Sequence, residues 1–172
     1  MLAARAWLVS GLPLMHPTFY IRLARVEEAA AMSDLCFRSK AVGGYDPYFM
    51  MLMPAAPEVV PEHIAAGDVW IATGVDGEIA GVVALAPGDA PDTLNLNKLF
   101  VEPRQYPQRR RPGATRARRR RGAERLTILA DPNAAGFYER NGAVRIGEAP
   151  SDAVPSRPLP LYELRLIPRG PS

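Results

Sequence analysis

The chain of 172 residues is 48% apolar and 8% aromatic, so it can bury a sizeable core, which excludes a fibre and a fully disordered chain, and its length favours one domain rather than two. A single cysteine, Cys36, and two histidines are too few for a disulfide framework or the usual zinc ligand sets, so we expect no metal and a reducing, cytoplasmic setting. The sequence lacks the roughly 18 consecutive apolar residues of a membrane-spanning helix, so we expect no membrane association.

The positive charge is concentrated in one short segment. Between Arg104 and Arg125 the sequence has ten arginines and one acid, Glu124, which gives this window a net charge of +9 and the remainder −6. A uniformly basic surface would favour nucleic acid or membrane partners, but an acidic domain with one arginine-rich insert does not. Tyr106 is the one aromatic residue among these arginines, which argues further against a nucleic-acid partner.

Residues 1–18 precede the first strand signal. They include an arginine followed by a short apolar run, as a signal peptide does, but no small-x-small cleavage signal follows. We therefore expect residues 1–18 to be a disordered or upstream extension, with Met15 as the start. The domain is expected to span residues 19–168.

The domain begins with a strand and a helix. Alternation over residues 19–23 favours a strand, and Ala29, Met32 and Cys36 recur at helical spacing in a run that ends near Lys40. Acidic residues in the first turn suit the positive end of the helix dipole. Two further short helical segments are predicted, at residues 48–53 and 62–66.

A β-hairpin is predicted next. Residues 69–73 and 79–86 are strand-like and are joined through Asp76 and Gly77. This dipeptide accepts the positive φ values of a tight turn, so the two strands are expected to pair antiparallel.

A longer strand is predicted over Thr93–Val101, and its apolar pattern changes parity partway. Leu96 follows the first parity and Leu99 the opposite one. A one-residue slip of this kind inverts the two faces of a strand unless an extra residue absorbs it. We therefore predict a β-bulge near Asn97 and Lys98.

Ordered structure is expected to resume at residues 125–129, which favour a strand. Asp131 and Pro132 are a capping residue and a proline suited to the first turn of a helix, and Gly142 provides a left-handed cap at its end. Two closing strands are predicted at residues 144–147 and 159–167.

Three blocks late in the chain carry a family resemblance. They read Leu-Phe-Val-Glu-Pro at 99–103, Gly-Ala-Glu-Arg-Leu at 122–126 and Asp-Pro-Asn-Ala-Ala-Gly-Phe-Tyr-Glu-Arg-Asn-Gly-Ala at 131–143. Together with the bulged strand, these blocks resemble the GNAT superfamily of N-acetyltransferases, over about residues 20–167. The resemblance implies a mixed α/β (α+β) fold with a central, mostly antiparallel sheet of about six to seven strands and about four flanking helices.

The resemblance also implies that acetyl-CoA is a cosubstrate, lying in a gap between the bulged fourth strand and the fifth. Carried over, Leu99, Phe100 and Val101 present backbone groups to the pantetheine arm, and they can be buried strand residues at the same time. Asn133 matches a position whose side chain commonly bonds the cofactor arm, with helix capping as the alternative. Phe137 completes the expected cofactor contacts.

Acetyl transfer needs an acid and a base. Tyr138 matches the tyrosine that protonates the departing thiolate in relatives, and helical spacing lets Phe137 face the core while Tyr138 faces the cleft. Relatives often place a carboxylate on the bulged strand, where this chain has Asn95 and Asn97. Because an amide is not a base, we expect Glu102, an acid from another loop, or a water relay through Asn97 to take the proton.

The acceptor is expected to be a primary amine of a small molecule or protein. Tyr45, Phe49 and Met50 match the region that shapes the acceptor pocket in relatives, with core packing as the alternative. No pattern in the sequence encodes the oligomeric state, and a homodimer is one alternative.

The pyrophosphate-binding signature is degenerate. Its nearest match is Arg110, Gly113 and Ala114, and the expected amphipathic helix is replaced by an arginine-rich run over residues 113–122. One explanation is a frameshifted reading of residues 104–121, and the other is that genuine arginines hold the CoA phosphates by charge. The alternative function is therefore an impaired GNAT-fold protein that binds CoA or a polyanion without turnover.

Overall fold

The computed structural model describes residues 19–42, 58–104, 123–151 and 157–166. The predicted extension over residues 1–18, the predicted helix at 48–53 and residues 105–122 of the arginine-rich segment lie outside this described part of the chain.

Among the described residues there are seven strands and three α-helices, with a short 3₁₀ turn before the first helix and another before the last. In chain order they are β1 (Tyr20–Leu23), a 3₁₀ turn (Val26–Glu28), α1 (Ala29–Ala41), α2 (Pro61–Ala65), β2 (Val69–Thr73), β3 (Ile79–Pro87), β4 (Thr93–Val101), β5 (Arg125–Leu129), a 3₁₀ turn (Pro132–Ala134), α3 (Ala135–Arg140), β6 (Val144–Pro150) and β7 (Pro158–Arg165).

The seven strands form one sheet in the order β1-β2-β3-β4-β5-β7-β6. Neighbouring strands are antiparallel except for the parallel pair β4 and β5. This arrangement confirms the predicted fold class, a mixed and mostly antiparallel sheet with flanking helices. β7 lies between β5 and β6, which places β6 at an edge of the sheet.

The sheet is buried on both faces. On one face, α1 packs Met32 and Cys36 against Ile71 and Val82, and these side chains are at most 1% exposed. We call this group, which also includes Ala84, the α1 cluster. The opposite face carries a second cluster that includes Leu94, Leu126, Ile128 and Tyr162. β3 therefore has buried apolar residues at both odd and even positions, because successive side chains of a strand point to opposite faces.

The predicted bulge in β4 is confirmed. Lys98 lies opposite Ala84, and Leu96 lies opposite the next residue, Leu85, which leaves Asn97 as the extra residue. Leu96 and Leu99 consequently pack against the same buried cluster despite their different parity in the sequence.

The turn and cap signals are confirmed as well. Gly77 has φ of 84° in the β2–β3 turn, and Gly142 has φ of 90° after α3. The Asp131 carboxylate accepts the Asn133 backbone N–H at 2.9 Å, which satisfies a donor that the start of a helix leaves unpaired.

Candidate functional site

The most distinctive feature of the sheet is the separation of β4 from β5. Within the described strands, their pairing covers Thr93–Leu96 opposite Arg125–Ile128 and ends there, although β4 continues to Val101. The separation begins at the bulged residue, Asn97. Because the two strands are parallel, their carboxyl ends share one edge of the sheet, and the gap opens toward that edge.

The pairing of β4 with β3 determines which backbone groups face this gap. The Glu102 backbone N–H donates to the Ala80 carbonyl at 3.0 Å, so alternation directs the N–H and C=O of Phe100 toward β3 as well. The backbone groups of Leu99 and Val101 point the other way, toward the gap. Two of the three predicted strand residues therefore present main-chain groups there, whereas the main-chain groups of Phe100 pair with β3 and its side chain packs against the α1 cluster.

A buried hydroxyl on α1 reaches this edge of β4. Ser39 is 4% exposed, and its Oγ accepts the Val101 backbone N–H at 3.4 Å. A buried N–H without a partner costs about 1–3 kcal/mol, and this long contact offsets part of that cost on the section of β4 beyond its pairing with β5. Ser39 was not among the predicted site residues. Its helical spacing from Met32 and Cys36 places it on the buried face of α1, and a polar residue on such a face indicates a candidate site residue.

The helix after β5 brings Tyr138 to the same face of the sheet as Leu99, where both pack against the second cluster. The Phe137 ring meets the Tyr138 ring edge-on, with centroids 5.2 Å apart and planes at 69°. Tyr138 packs against this core, where the prediction placed Phe137, and the position of Tyr138 in the cleft stays a prediction. The 3₁₀ turn before α3 has three residues per turn, which rotates the faces away from continuous α-helical spacing.

Asn133 is exposed at the start of this helical segment, just beyond the carboxyl end of β5. The N-cap is Asp131, and Asn133 contributes its backbone N–H to that cap.

The described residues include Asn97 and Glu102, two of the predicted candidates for removing the proton from the attacking amine. Asn97 is exposed at the bulge, at the point where the strands separate. The Glu102 carboxylate accepts a hydrogen bond from the Arg38 guanidinium at 2.9 Å, and its side chain is only 16% exposed. Glu102 is thus engaged in an ion pair with α1. The side-chain amide of Asn95 donates to the Pro87 carbonyl at 3.3 Å.

Two half-buried lysines lie on the α1 face of the gap. Lys98 lies opposite Ala84, whose side chain belongs to the α1 cluster, and Lys40 directly follows Ser39. Burial lowers the pKa of both lysines, and the positive charge of Lys98 lowers the pKa of Lys40 further. Burial also raises the pKa of the neighbouring Cys36 thiol to about 12, so this cysteine remains a neutral thiol. Lys98 was predicted to mark the β-bulge and was not among the predicted site residues.

A cavity of about 430 Å³ lies between α1 and the β2–β3 turn. Its lining includes Leu35 and Arg38 from α1, Asp76 and Glu78 from the turn, and Glu102. Glu102 is the one predicted candidate residue that reaches it among the described residues, so this cavity is separate from the groups at the β4–β5 gap.

Six of the predicted site residues lie outside the described residues: Tyr45, Phe49, Met50, Arg110, Gly113 and Ala114. In the parts of the chain that the structure does describe, no group of three or more histidine, cysteine or acidic residues could hold a metal ion. None of the helices described there is long and apolar enough to cross a membrane.

No protein-family profile matches the chain, and neither does any curated protein sequence. Solved structures do match. A GCN5-related N-acetyltransferase from Rhodopseudomonas palustris superimposes with a TM-score of 0.64 at 20% identity, covering 91% of this chain and 100% of that one. The chain has the GNAT fold.

Two further GNAT-fold structures agree with this assignment. The PaiA N-acetyltransferase from Thermoplasma acidophilum, solved with coenzyme A, matches with a TM-score of 0.60 at 14% identity, over 87% of this chain and 99% of that one. A GNAT-family acetyltransferase from Listeria monocytogenes matches with a TM-score of 0.57 at 16% identity, over 86% and 95%. The resemblance identified from the three sequence blocks is therefore confirmed at the level of the GNAT fold.

Proposed function

We propose that this protein transfers an acetyl group from acetyl-CoA to a primary amine of a small molecule or a protein. The observation that carries the proposal is the separation of β4 from β5 at Asn97, which leaves the backbone edge of Leu99 and Val101 facing the gap. An extended pantetheine arm has amide groups that can pair with such an edge as a neighbouring strand would.

On this edge, the Val101 N–H donates to Ser39 Oγ. Its contact with Ser39 Oγ is 3.4 Å long, beyond the usual range for N–H···O hydrogen bonds. A carbonyl oxygen of the cosubstrate is a better acceptor, so exchanging the hydroxyl for that oxygen has a low cost. Leu99 presents the second pair of main-chain groups, and Asn133 contributes an amide side chain near the end of β5.

Tyr138 is the proposed acid. It lies on the same face of the sheet as Leu99, and its phenol can donate a proton to the CoA thiolate as the carbon–sulfur bond breaks. The proton of the attacking amine passes to water at Asn97, because Glu102 is held in its ion pair with Arg38.

The remaining assignments follow from the resemblance. Tyr45 and Phe49 are the proposed walls of the acceptor pocket, while Arg110, Gly113 and Ala114 are the proposed contacts of the pyrophosphate. Phe100 and Phe137 contribute side chains beside the cofactor arm. The proposed setting is the cytoplasm, with no metal in the reaction.

The proposal is tested by measuring release of free CoA thiol from acetyl-CoA in the presence of a panel of primary amines. Tyr138→Phe is expected to lower kcat about 10²–10⁴-fold, the usual contribution of a general acid, with little change in cooperative unfolding. Tyr20→Phe is the matched control, because it removes one hydroxyl from an exposed tyrosine of β1 and should leave kcat unchanged.

Equal rates for Tyr138→Phe and the wild type would contradict the role of Tyr138. Salt-sensitive binding of CoA or another polyanion without turnover of any amine would instead support the non-catalytic alternative.

A further inference from the structure

The chain uses lysine at only two positions, Lys40 and Lys98, against nineteen arginines. Both lysines belong to the half-buried group on the α1 face of the β4–β5 gap. Elsewhere, the basic residues are arginines throughout, including those of the surface ion pairs. The two lysine side chains of this chain therefore both lie on this face, one on β4 just after the bulge and one on the last turn of α1.

The placement of Lys98 follows from the register. It is the first residue after the bulge, and it lies opposite Ala84, which packs in the α1 cluster. Cross-strand partners share a face, so Lys98 projects toward α1, next to Cys36. Leu99, whose backbone faces the gap, is its immediate neighbour.

Lysine offers chemistry at this position that arginine does not. A guanidinium stays charged at all ordinary pH values, whereas a lysine amine can lose its proton and become a nucleophile. Burial disfavours the protonated form of both lysines, and at Lys40 the positive charges of Lys98 and Arg157 add to this effect. Cys36 and Glu58 favour the protonated form at Lys98. Asp131 favours it at Lys40. Burial has the largest effect at both positions, so their pKa values fall below that of an exposed lysine.

We propose that Lys98 is a self-acetylation site of this protein, with acetyl-CoA bound in the β4–β5 gap as the donor. The neutral Nζ attacks the thioester carbonyl, a carbon–nitrogen bond forms, and the carbon–sulfur bond breaks. The thiolate leaves as CoA, and it takes up the proton that the nitrogen loses. This inference rests on the proposed function, because it requires acetyl-CoA in the gap.

Acetylation also relieves an unfavourable feature of the site. Acetyl-lysine is neutral, so the modification removes a half-buried positive charge and its repulsion of Lys40.

The test is incubation of the full chain with acetyl-CoA, followed by intact-mass and peptide mass spectrometry. We expect one acetyl group, located at Lys98, at a rate that rises with pH as the neutral fraction of the amine grows. Lys98→Arg should lose this modification, and Lys40→Arg should retain it. The same incubation in denaturant should leave Lys98 no more acetylated than Lys40.

The thermal-unfolding midpoint with acetyl-CoA is measured in parallel. Stabilisation by acetyl-CoA without acetylation of Lys98 would overturn the self-acetylation proposal and leave the proposed function standing. Absence of stabilisation would overturn both. Equal acetylation of the folded and denatured chain would also overturn it, since the reaction would then owe nothing to the fold. The peptide map of the wild type locates the acetyl group without any substitution, so it tests the proposal even where a substituted chain does not fold.

Discussion

Tyr138 and Tyr162 pack in the same cluster, but their environments suit different roles. Tyr162 is 2% exposed, and its hydroxyl donates to a carboxylate oxygen of Glu139 at 2.7 Å. This hydrogen bond to a negative charge, together with burial, raises the pKa of Tyr162. A phenol that is held in its protonated form is a poor proton donor, so we assign the acidic role to Tyr138.

The raised pKa of Tyr162 has a consequence for stability. Folding favours the protonated phenol, so its contribution is fully present below the unfolded-state pKa of about 10 and is lost as the pH rises through the higher folded-state pKa. We expect the stability of the wild type to fall more steeply than that of Tyr162→Phe between about pH 10 and pH 11. Thermal unfolding of both proteins across this range measures the difference. Parallel curves for the two proteins would contradict the assignment.

At the scale of elements, α3 depends on the turn that ends it. Gly142 has φ of 90°, and a Cβ there would approach nothing closer than Leu164 Cδ1 at 3.9 Å. Gly142→Ala therefore isolates the cost of a positive φ, expected at about 1–2 kcal/mol of unfolding free energy. Gly147→Ala is the matched control in β6, where φ is not positive and a Cβ would meet nothing within 4 Å, so it should change stability by less than about 0.5 kcal/mol. Equal denaturant midpoints for the two variants would refute this account.

The bulge in β4 marks the start of the gap on which the proposed function depends. Deletion of Asn97 removes the extra residue, so either the register of residues 98–101 shifts or their faces invert. We expect the deletion variant to lose cooperative unfolding or its response to acetyl-CoA.

Asn97→Ala keeps the residue count, and its side chain is exposed, so this control should unfold within about 1 kcal/mol of the wild type. Circular dichroism melting curves distinguish the two variants. A deletion variant as stable and as responsive as the wild type would mean that the bulge does not shape the gap.

At the scale of the whole molecule, much of the sheet was predictable from local signals. The bounds of β4 and β5 matched the prediction, and the parity change gave the bulge, because burial on a strand has a period of two residues. The position of β7 between β5 and β6 was not predictable, since parity indicates the buried face of a strand and not its partner.

The candidate site was predictable only in part. The family blocks indicated Leu99 and Val101, whose backbone groups face the gap, and Tyr138, which packs against the same cluster as Leu99. The contributions of Ser39 and Lys40 depend on how the last turn of α1 packs across that gap, and Ser39 contacts a residue sixty-two positions away. Helical spacing could have placed Ser39 on the buried face of α1, but no local pattern indicates which strand it contacts, so that contact required the structure.

The central claim is that the gap between β4 and β5 binds acetyl-CoA. Thermal unfolding of the full chain with and without acetyl-CoA at moderate salt tests it most directly, with inorganic pyrophosphate as the control for charge. At about 100 times the dissociation constant, acetyl-CoA should add roughly 2.7 kcal/mol to the unfolding free energy, and pyrophosphate should add little. No shift with acetyl-CoA, or an equal shift with pyrophosphate, would contradict the claim.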